Sequence, residues 1–482
     1  MNLFLRIIIL FFLYSAISFF SAQELKLNFS ENIATNSDYK PSICFFQNNY
    51  YILVQEKIKS SSCDIKINTF NKSLKSSNQF DVKIDGHTYL SINQLFNKIV
   101  LFTSTKKNNS TDLYAHFFDV KNGFVKSKMI FSEPNISGYS TNYIVSDTTY
   151  EDEFFVLAEL PFQSGQNEDI KLLFYDQSCK LTNQVYNKLE VPFESKRDNK
   201  LLISPIGKII LIKTFWKKGN NFYLYSLGSK TISQIEIKLN QRKIAAIDYF
   251  FNDKNELVIA GFFTSIARYN FEGYFIHKYD SDLSLFHKNQ YYLGKNIIEE
   301  FKSSKSIKES GAGLDRFRVS DFTNDAKGSY YLMAEHLGRK KIKDVNQWNS
   351  KGVVVIKFNK NGNYVWGCPV PLKQTNEQIK FLGSFRLNKF NNVQYFYNSL
   401  ENLNLRKGIP NEYGSNNYCG TKVLTFSSVG LVEENILKID FPKIESNTFA
   451  FYPKQLNPFL FGKSVFSLIN KEGNSLLLGV EK

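Results

Sequence analysis

The chain has 482 residues, of which 22% are charged and 43% are hydrophobic, and its formal net charge is +15. The five cysteines contain no C-x-x-C spacing and no histidine partner at zinc-finger distance, which argues against a disulfide-stapled domain and a zinc finger. An excess of Lys and Arg favours attraction to polyanions and does not specify a fold. Because the N-terminus predicts export, acidic glycans or an anionic envelope surface are more natural targets than nucleic acid.

The N-terminus has the parts of a secretory signal peptide. Arg6 supplies a positive charge, Ile7–Phe20 is a short apolar run, and Ala22 ends the segment with a small residue, although Phe20 stands where a small residue is preferred. The run is too short to span a bilayer comfortably, and no basic cluster follows it. We therefore predict a signal peptide at 1–22 and a mature domain at 23–482, with no transmembrane segment, in the periplasm, at the envelope or outside the cell.

A four-stranded unit recurs through the rest of the chain. Its second half is a hairpin, seen at Gly352–Trp366 as an apolar strand, a turn at Asn359–Gly362 and a second strand, and repeated at Gly273–Phe286. Strands rich in β-branched and aromatic residues, joined by short turns of Asn, Asp, Gly and Ser, are typical of β-hairpins. Another pair of strands precedes each hairpin, so the unit has strands A to D and spans roughly fifty residues.

The number of units predicts a closed repeat domain. Seven units are clear and an eighth is partial, and Leu25–Phe29 reads as the strand that completes the C-terminal unit. We predict an all-β fold, a single β-propeller of about eight four-stranded blades, with seven as the alternative. A pair of β-sandwiches or a parallel β-helix remains open. Only Lys295–Glu309 favours a helix, and Cys44 and Cys63, on neighbouring strands, are candidates for a disulfide.

One hairpin carries a resemblance to known proteins. The pattern V-x-I-K-F-N-K-N-G-x-x-x-W at Val354–Trp366 resembles the repeats of bacterial exported β-propeller proteins, many of unknown function. Ile276–Leu283 matches more loosely, because it lacks the glycine and the tryptophan. The resemblance covers about two units and implies the propeller fold without implying an activity.

Signatures of catalysis do not occur in the sequence. It contains no G-x-S-x-G elbow, no H-E-x-x-H pair and no calcium-binding aspartate ladder, and Asn457 replaces the first glycine of the P-loop-like segment that ends at Ser464. Adjacent carboxylates such as Glu433 and Glu434 point to opposite faces of a strand, which makes them poor pairs for glycoside hydrolysis. We predict no catalytic residues, no metal site and no cofactor, and structural roles for the five histidines.

Long insertions and positive charge coincide on one face. In a four-stranded blade the B–C and D–A connections leave by the same face, and here they hold the insertions Lys295–Arg316, Gly338–Lys351 and Glu401–Gly420. The B–C connections are mostly basic and include aromatic residues, although Pro161–Asp169 is acidic. Cations beside aromatic planes suit an acidic polysaccharide. The candidate binding residues are Trp216, Lys217, Arg339, Lys340, Lys341, Trp348, Arg406 and Lys407.

The pattern favours a non-enzymatic binding or scaffold protein that contacts an acidic polysaccharide, an envelope component or a protein partner. The alternative is a polysaccharide lyase or hydrolase with its site in the propeller channel. Carboxylates, tyrosines and histidines converging at the channel mouth would favour the enzyme, whereas a basic and aromatic rim would favour the binder. An apolar patch on the same face would indicate a structural subunit.

Overall fold

The structure is a computed structural model, and it describes most of the chain between residues 27 and 481. The residues outside the description are 1–26, 31–32, 35–39, 48, 96–97, 120–122, 137, 147, 162–165, 193–196, 216–219, 228–231, 266–269, 304, 307–312, 343–344, 377–383, 390–391, 399–420, 427–429, 431, 438–448, 452–458, 461–462, 471–474 and 482. The predicted signal peptide therefore lies outside the described residues.

The described residues form an almost entirely β structure, with strands numbered here in chain order. Two short strands come first, β1 (Leu27–Phe29) and β2 (Ile33–Ala34). Sheet 1 contains β3 (Lys40–Gln47), β4 (Tyr50–Lys59), β5 (Ser62–Asn71) and β6 (Ser76–Asp85). Sheet 2 contains β7 (Thr88–Leu95), β8 (Lys98–Lys106), β9 (Ser110–Asp119) and β10 (Gly123–Pro134). Sheet 3 contains β11 (Asn142–Val145), β12 (Glu153–Glu159), β13 (Asn167–Asp176) and β14 (Leu181–Pro192).

The next two sheets repeat this arrangement and are followed by an insertion. Sheet 4 contains β15 (Arg197–Ile203), β16 (Ile209–Phe215), β17 (Asn221–Leu227) and β18 (Ser233–Ile237). Sheet 5 contains β19 (Lys243–Phe251), β20 (Leu257–Thr264), β22 (Gly273–Tyr279) and β23 (Leu285–Tyr292). Its B–C connection holds β21 (Asn270–Phe271), which pairs with β24 (Leu314–Asp315) of the insertion. Helix α1 (Lys295–Phe301) lies in the same insertion.

The last three sheets include an extended sheet 6 and a sheet shared by the two ends of the chain. Sheet 6 contains β25 (Phe317–Asn324), β26 (Tyr330–His336), β27 (Gly338–Ile342), β28 (Val345–Phe358) and β29 (Tyr364–Asn376). Sheet 7 contains β30 (Ser384–Lys389), β31 (Asn392–Asn398), β32 (Thr421–Phe426) and β33 (Val432–Leu437). Sheet 8 contains β34 (Phe449–Phe451), β36 (Lys463–Asn470), β37 (Ser475–Glu481), β1 and β2, and β35 (Phe459–Leu460) pairs with β36.

Consecutive sheets pack face to face because their middle strands are apolar on both sides. On β12, Phe154 and Val156 join the core with sheet 2, whereas the alternate residues Phe155 and Leu157 join the core with sheet 4. Successive residues of a strand point to opposite faces, so a strand between two neighbouring sheets reads as a continuous apolar run. Cores of the same kind join sheets 1 to 7 in sequence. This stacking fits neither a pair of sandwiches nor a parallel helix.

The strand order within the sheets identifies the fold as a β-propeller. First strands of neighbouring sheets contact each other, as β7 and β11, β11 and β15, and β19 and β25 do. Fourth strands such as β6 alternate between exposed and half-buried residues and form the outer edge. In the described part of the chain, eight antiparallel sheets have four or more strands. The number of blades in the closed ring stays a prediction.

The two ends of the described chain meet in sheet 8. Strand β1 pairs with β37 from Leu27–Glu481 to Phe29–Gly479, so the prediction that an N-terminal strand completes the C-terminal unit is confirmed for Leu27–Phe29. The Leu478 N–H donates to the buried Ser30 hydroxyl oxygen at 2.9 Å, and the Ser30 N–H donates to the Leu478 carbonyl at 2.8 Å. These bonds fix the register in which the ends of the chain come together.

One turn geometry recurs on the face that carries the A–B and C–D connections. Asp325 Oδ1 accepts the N–H groups of Lys327 and Ser329, each at 2.9 Å. Asn or Asp makes the same pair of bonds to the second and fourth following residues in five other turns, beginning at Asn71, Asp176, Asn252, Asp280 and Asn359. The third residue after the Asn or Asp has a positive φ in each of these turns, which is why Gly328 (φ 78°) suits its turn.

Two predictions about local structure can be compared with the described residues. The helix predicted over Lys295–Glu309 is confirmed for Lys295–Phe301 as α1, where Ile297 and Ile298 enter the core between sheets 5 and 6, and residues 304 and 307–309 lie outside the described residues. Cys63 is a free thiol, so it is not bonded to Cys44. Cys44 pairs with Leu53 and Cys63 with Ile58, which places the two cysteines two strands apart, about 10 Å, and out of register along β4. That separation exceeds the reach of a disulfide.

Candidate ligand-binding face

The predicted basic loop Gly338–Lys351 is a β-hairpin that extends sheet 6. Strand β27 pairs with the first part of β28, and the last part of β29 pairs with β28 on its other side, with Trp348 opposite Asn376. This B–C insertion is therefore structured, because its backbone groups bond to each other. A bulge separates the extension from the rest of β28 at Gly352, where a Cβ atom would lie 2.2 Å from the Val370 carbonyl oxygen.

The extension brings three of the predicted binding residues together. Arg339 and Trp348 are cross-strand partners, and the Arg339 guanidinium carbon lies 5.5 Å from the centre of the Trp348 ring. Lys341 is exposed and follows Arg339 on the same face of β27, because alternate residues share a face. Lys340 pairs with Gln347 in the ladder. An exposed cation–π contact contributes about 0.5–1 kcal/mol, so this pair is a surface feature more than a source of stability.

The other predicted binding residues lie outside the described residues. They are Trp216, Lys217, Arg406 and Lys407. Whether these residues converge on the extension of sheet 6 therefore stays a prediction.

Part of the acidic charge predicted for the B–C connections belongs to the interior. Glu168 lies on β13 and is fully buried, with its Oε2 2.6 Å from Nζ of the equally buried Lys213. Asp112 lies buried on β9, with its Oδ2 2.6 Å from Lys107 Nζ. Burial alone would raise the pKa of Asp112, but hydrogen bonds from Lys107, Ser132 and Ser110 outweigh it and hold the pKa below its usual value. Glu168, one of the acidic residues of the B–C connection Pro161–Asp169, therefore belongs to β13 and to the interior.

Buried carboxylates on the second strands of sheets 1 and 3 bond to polar side chains of neighbouring strands. Glu159 accepts hydrogen bonds from Asn142 Nδ2 at 2.7 Å and from Asn199 of sheet 4. Glu56 accepts one from the Tyr89 hydroxyl of sheet 2 at 2.5 Å. Such bonds join adjacent sheets and satisfy groups that burial would otherwise penalise. Within the described residues, no group of three His, Cys, Asp or Glu side chains is placed to hold a metal ion.

The histidines of sheet 2 belong to a chain of hydrogen bonds. His87 Nδ1 lies 2.7 Å from the Thr103 hydroxyl, which lies 2.8 Å from His116 Nε2, and His116 Nδ1 lies 2.6 Å from the Ser127 hydroxyl. Burial lowers the pKa of His116 to about 4, so its imidazole is neutral at pH 7. These hydrogen bonds join β8, β9 and β10 of sheet 2, which suits the structural role expected of the histidines.

A cavity of about 340 Å³ lies at the base of the extension, between sheet 6 and the insertion that follows sheet 5. Phe301, Leu314 and Phe317 form an apolar wall, and the rings of Phe301 and Phe317 lie 5.1 Å apart. Lys302 from the end of α1 is buried in it and ion-pairs with Asp315 at 2.7 Å. A mixed apolar and polar lining at this volume matches the lower end of small-molecule sites, about 300–1,000 Å³.

The remaining polar lining comes from both sides of the cavity. Arg316 and Lys351 are exposed at it, and the buried His336 ring accepts a hydrogen bond from the Lys351 N–H at Nδ1, at 3.1 Å. Burial, helped by Lys351 and Arg316, lowers the pKa of His336 to about 4, so the ring is neutral at pH 7. No sequence pattern indicated Lys302 or Arg316, because their closeness to Lys351 depends on how the insertion packs.

Comparisons with known proteins add little to this description. No protein-family model matches the chain, and no curated protein matches it. Among solved structures, the WD40 domain of SCAP from fission yeast is similar over 94% of this chain and 95% of its own, with 9% identity and a TM-score of 0.40. The β-propeller domain of the trilobed protease from Pyrococcus furiosus is similar over 83% and 98%, with 11% identity and a TM-score of 0.34.

A Bacteroides caccae protein of unknown function is similar over 69% of this chain and 94% of its own, with 9% identity and a TM-score of 0.29. The fold of this chain is therefore assigned from its own strand order and sheet packing. In the described part of the chain, no helix is long and apolar enough to cross a membrane.

Proposed function

We propose that this chain is an exported, non-enzymatic binding protein whose insertion-bearing face binds an acidic polysaccharide or a similar anionic polymer of the cell envelope. The observation that carries the proposal is the contact between the Arg339 guanidinium and the Trp348 ring, with Lys341 beside it on an exposed extension. An aromatic plane can contact the apolar face of a sugar ring while the cations attract its acidic groups.

The surroundings of the extension support the same proposal. Lys351 and Arg316 lie at the cavity at its base, so positive charge continues from the extension towards the sheet. Buried carboxylates of other sheets, Glu56 of sheet 1 and Glu159 of sheet 3, bond to neighbouring strands. This arrangement is closer to the basic and aromatic rim expected of a binder than to the converging acid and base groups of a hydrolase or lyase.

A retention experiment tests the proposal. The protein without residues 1–22 is passed over immobilised uronic acid polymers, a sulfated glycan and a neutral glucan at two salt concentrations, and the eluates are examined for cleavage products. We expect retention by the acidic polymers alone, weakening with salt because exposed charges are screened. The variants Arg339→Gln with Lys341→Gln and, separately, Trp348→Ala should reduce retention, whereas Lys188→Gln on the outer strand β14 should not.

The other outcomes each count against the proposal. Release of shortened glycans would favour the enzyme, and retention that survives all the variants of the extension would place the site elsewhere. Absence of retention would favour a protein partner. Export is tested separately, by sequencing the N-terminus of the protein recovered outside the cytoplasm, where we expect the chain to begin at Gln23.

A further inference from the structure

The cavity between α1 and the extension has the chemistry of a site for a single charged sugar. Three cations, Lys302, Arg316 and Lys351, and one carboxylate, Asp315, line it. The Lys302–Asp315 ion pair neutralises one charge of each sign. The lining therefore carries a formal charge of +2 from Arg316 and Lys351, since its histidine is neutral at pH 7.

The cavity also has an apolar side and neutral hydrogen-bonding groups. The half-buried Phe301 ring and the partly accessible Phe317 ring supply the apolar side, and Asn349 and Ser306 supply an amide and a hydroxyl. A pyranose ring presents C–H groups that can pack on aromatic rings and hydroxyls that bond to amides and carboxylates. An inorganic anion would bind to the cations and make no contact that requires the apolar side chains.

We infer that this cavity binds one carboxylate-bearing sugar unit, a hexuronic acid, with the carboxylate at Arg316 and Lys351 and the ring against Phe301 and Phe317. The inference rests on the proposed function, because the cavity would hold one unit of the polymer that the extension contacts. A volume of about 340 Å³ limits the cavity to a short segment of such a polymer.

The backbone at both cations is held in place by strand β26 and its continuation. The Arg316 carbonyl accepts the N–H of Leu337 at 3.0 Å, and the Lys351 N–H donates to His336 Nδ1 at 3.1 Å. Arg316 also has φ 62°, a left-handed conformation that is unfavourable for a non-glycine residue.

Binding of a uronic acid disaccharide, measured by ligand-observed NMR and calorimetry, tests the inference. The matched neutral disaccharide and inorganic phosphate serve as comparison ligands. We expect the uronide to bind and the neutral sugar to bind about tenfold or more weakly. Arg316→Gly and Lys351→Gln should each weaken uronide binding about tenfold or more, while Lys188→Gln leaves it unchanged. Arg316→Gly should unfold at the same temperature as the parent or a higher one, because glycine suits φ 62°.

Several results would overturn the inference. They are absence of uronide binding, equal binding of the neutral sugar, phosphate binding that is as tight as uronide binding and as sensitive to Arg316→Gly, and uronide binding that survives both variants. A failure of this inference can be told apart from a failure of the proposed function. If variants of Arg339 and Lys341 release the polymer while Arg316→Gly and Lys351→Gln retain it, the extension is the binding surface and the cavity is not a sugar site.

Discussion

The ion pair between Lys213 and Glu168 gives the sharpest test of how this propeller is held together. Both side chains are fully buried between sheets 3 and 4, with Nζ and Oε2 2.6 Å apart, and Lys213 Nζ also donates to Asn199 Oδ1 at 3.1 Å. Removing one partner leaves a charge that has lost its counterion in an apolar setting. Such a loss costs about 3–5 kcal/mol, whereas replacing both partners by apolar residues is often neutral or stabilising.

The protonation of the remaining partner predicts the direction of the pH dependence. In Lys213→Met, the cheapest response of Glu168 is to bind a proton. Doing so at pH 7 from an ordinary pKa of about 4.3 costs roughly 3.7 kcal/mol at 1.36 kcal/mol for each pH unit. The folded carboxyl then binds a proton that the unfolded one releases, so this variant should lose stability as pH rises from 5 to 7.

The complementary variant, Glu168→Leu, should behave in the opposite way. Lys213 would have to release a proton, which costs roughly 4.6 kcal/mol at pH 7 from an ordinary pKa of about 10.4. Because the folded amine is then neutral and the unfolded one is charged, this variant should gain stability as pH rises from 7 to 9. The double variant should be less destabilised than the sum of the two single variants by several kcal/mol.

Urea unfolding followed by circular dichroism at pH 5, 7 and 9 measures these free energies of unfolding relative to the parent protein. The exchange Lys188→Gln on the protein surface is the control and should change stability by about 0.5 kcal/mol or less. Additive losses in the double variant, or the same pH slope in both single variants, would refute the reasoning. Either result would mean that water reaches the pair and that its charges are not desolvated.

Three further predictions concern other buried polar groups. Burial lowers the pKa of His277 to about 4, so between pH 6.5 and 4 the unfolded state binds more protons than the folded state. Stability should therefore fall as the pH is lowered over this range, by roughly 3 kcal/mol from this residue. The variant His277→Gln should show a smaller fall in unfolding temperature over the same range. Asp325→Ala should cost about 2–3 kcal/mol in urea unfolding, because it removes two turn hydrogen bonds, whereas Asp325→Asn should cost less than 1 kcal/mol. Ser30→Ala should cost about 1–3 kcal/mol by leaving the buried N–H of Leu478 without its hydroxyl acceptor, and hydrogen exchange at that amide should speed up.

Each of these predictions has a result that contradicts it. A His277→Gln protein with the same acid sensitivity as the parent would show that this histidine is not the group that titrates. Equal losses in Asp325→Ala and Asp325→Asn would mean that carboxylate charge, not the pair of turn hydrogen bonds, matters there. Unchanged exchange at the Leu478 amide in Ser30→Ala would show that the junction of β1 and β37 does not depend on this bond.

The fold could be predicted because its determinants are local and repeated. Continuous apolar strands such as Phe154–Ala158 indicate strands covered on both faces, and turns such as Asn359–Gly362 carry the Asn side chain and the glycine that the geometry needs. The strand Leu27–Phe29 could be assigned to the C-terminal sheet because that unit lacked a fourth strand. None of these inferences requires knowing which residues of different sheets touch.

The site could be predicted only in part, because it depends on pairing between distant segments. Charge and aromatic content in Gly338–Lys351 indicated Arg339 and Trp348 as binding residues, but not that they face each other across a hairpin. The charge content of Pro161–Asp169 likewise assigned Glu168 to a connecting loop, although it is buried against Lys213. Composition reports which charges a segment carries and not which of them remain in contact with solvent.

The all-β repeat architecture, the turn chemistry and the segments that interrupt the repeat could be inferred from the sequence alone, since each follows from side chains within a few residues of one another. The pairing of β27 with β28 in the extension, the placing of α1 and Arg316 at a cavity beside Lys351, and the ion pair of Glu168 with Lys213 between sheets followed only from the three-dimensional packing. The physical reason is that burial and ion pairing depend on through-space neighbours. In a propeller, those neighbours belong to the adjacent blade, tens of residues away along the chain.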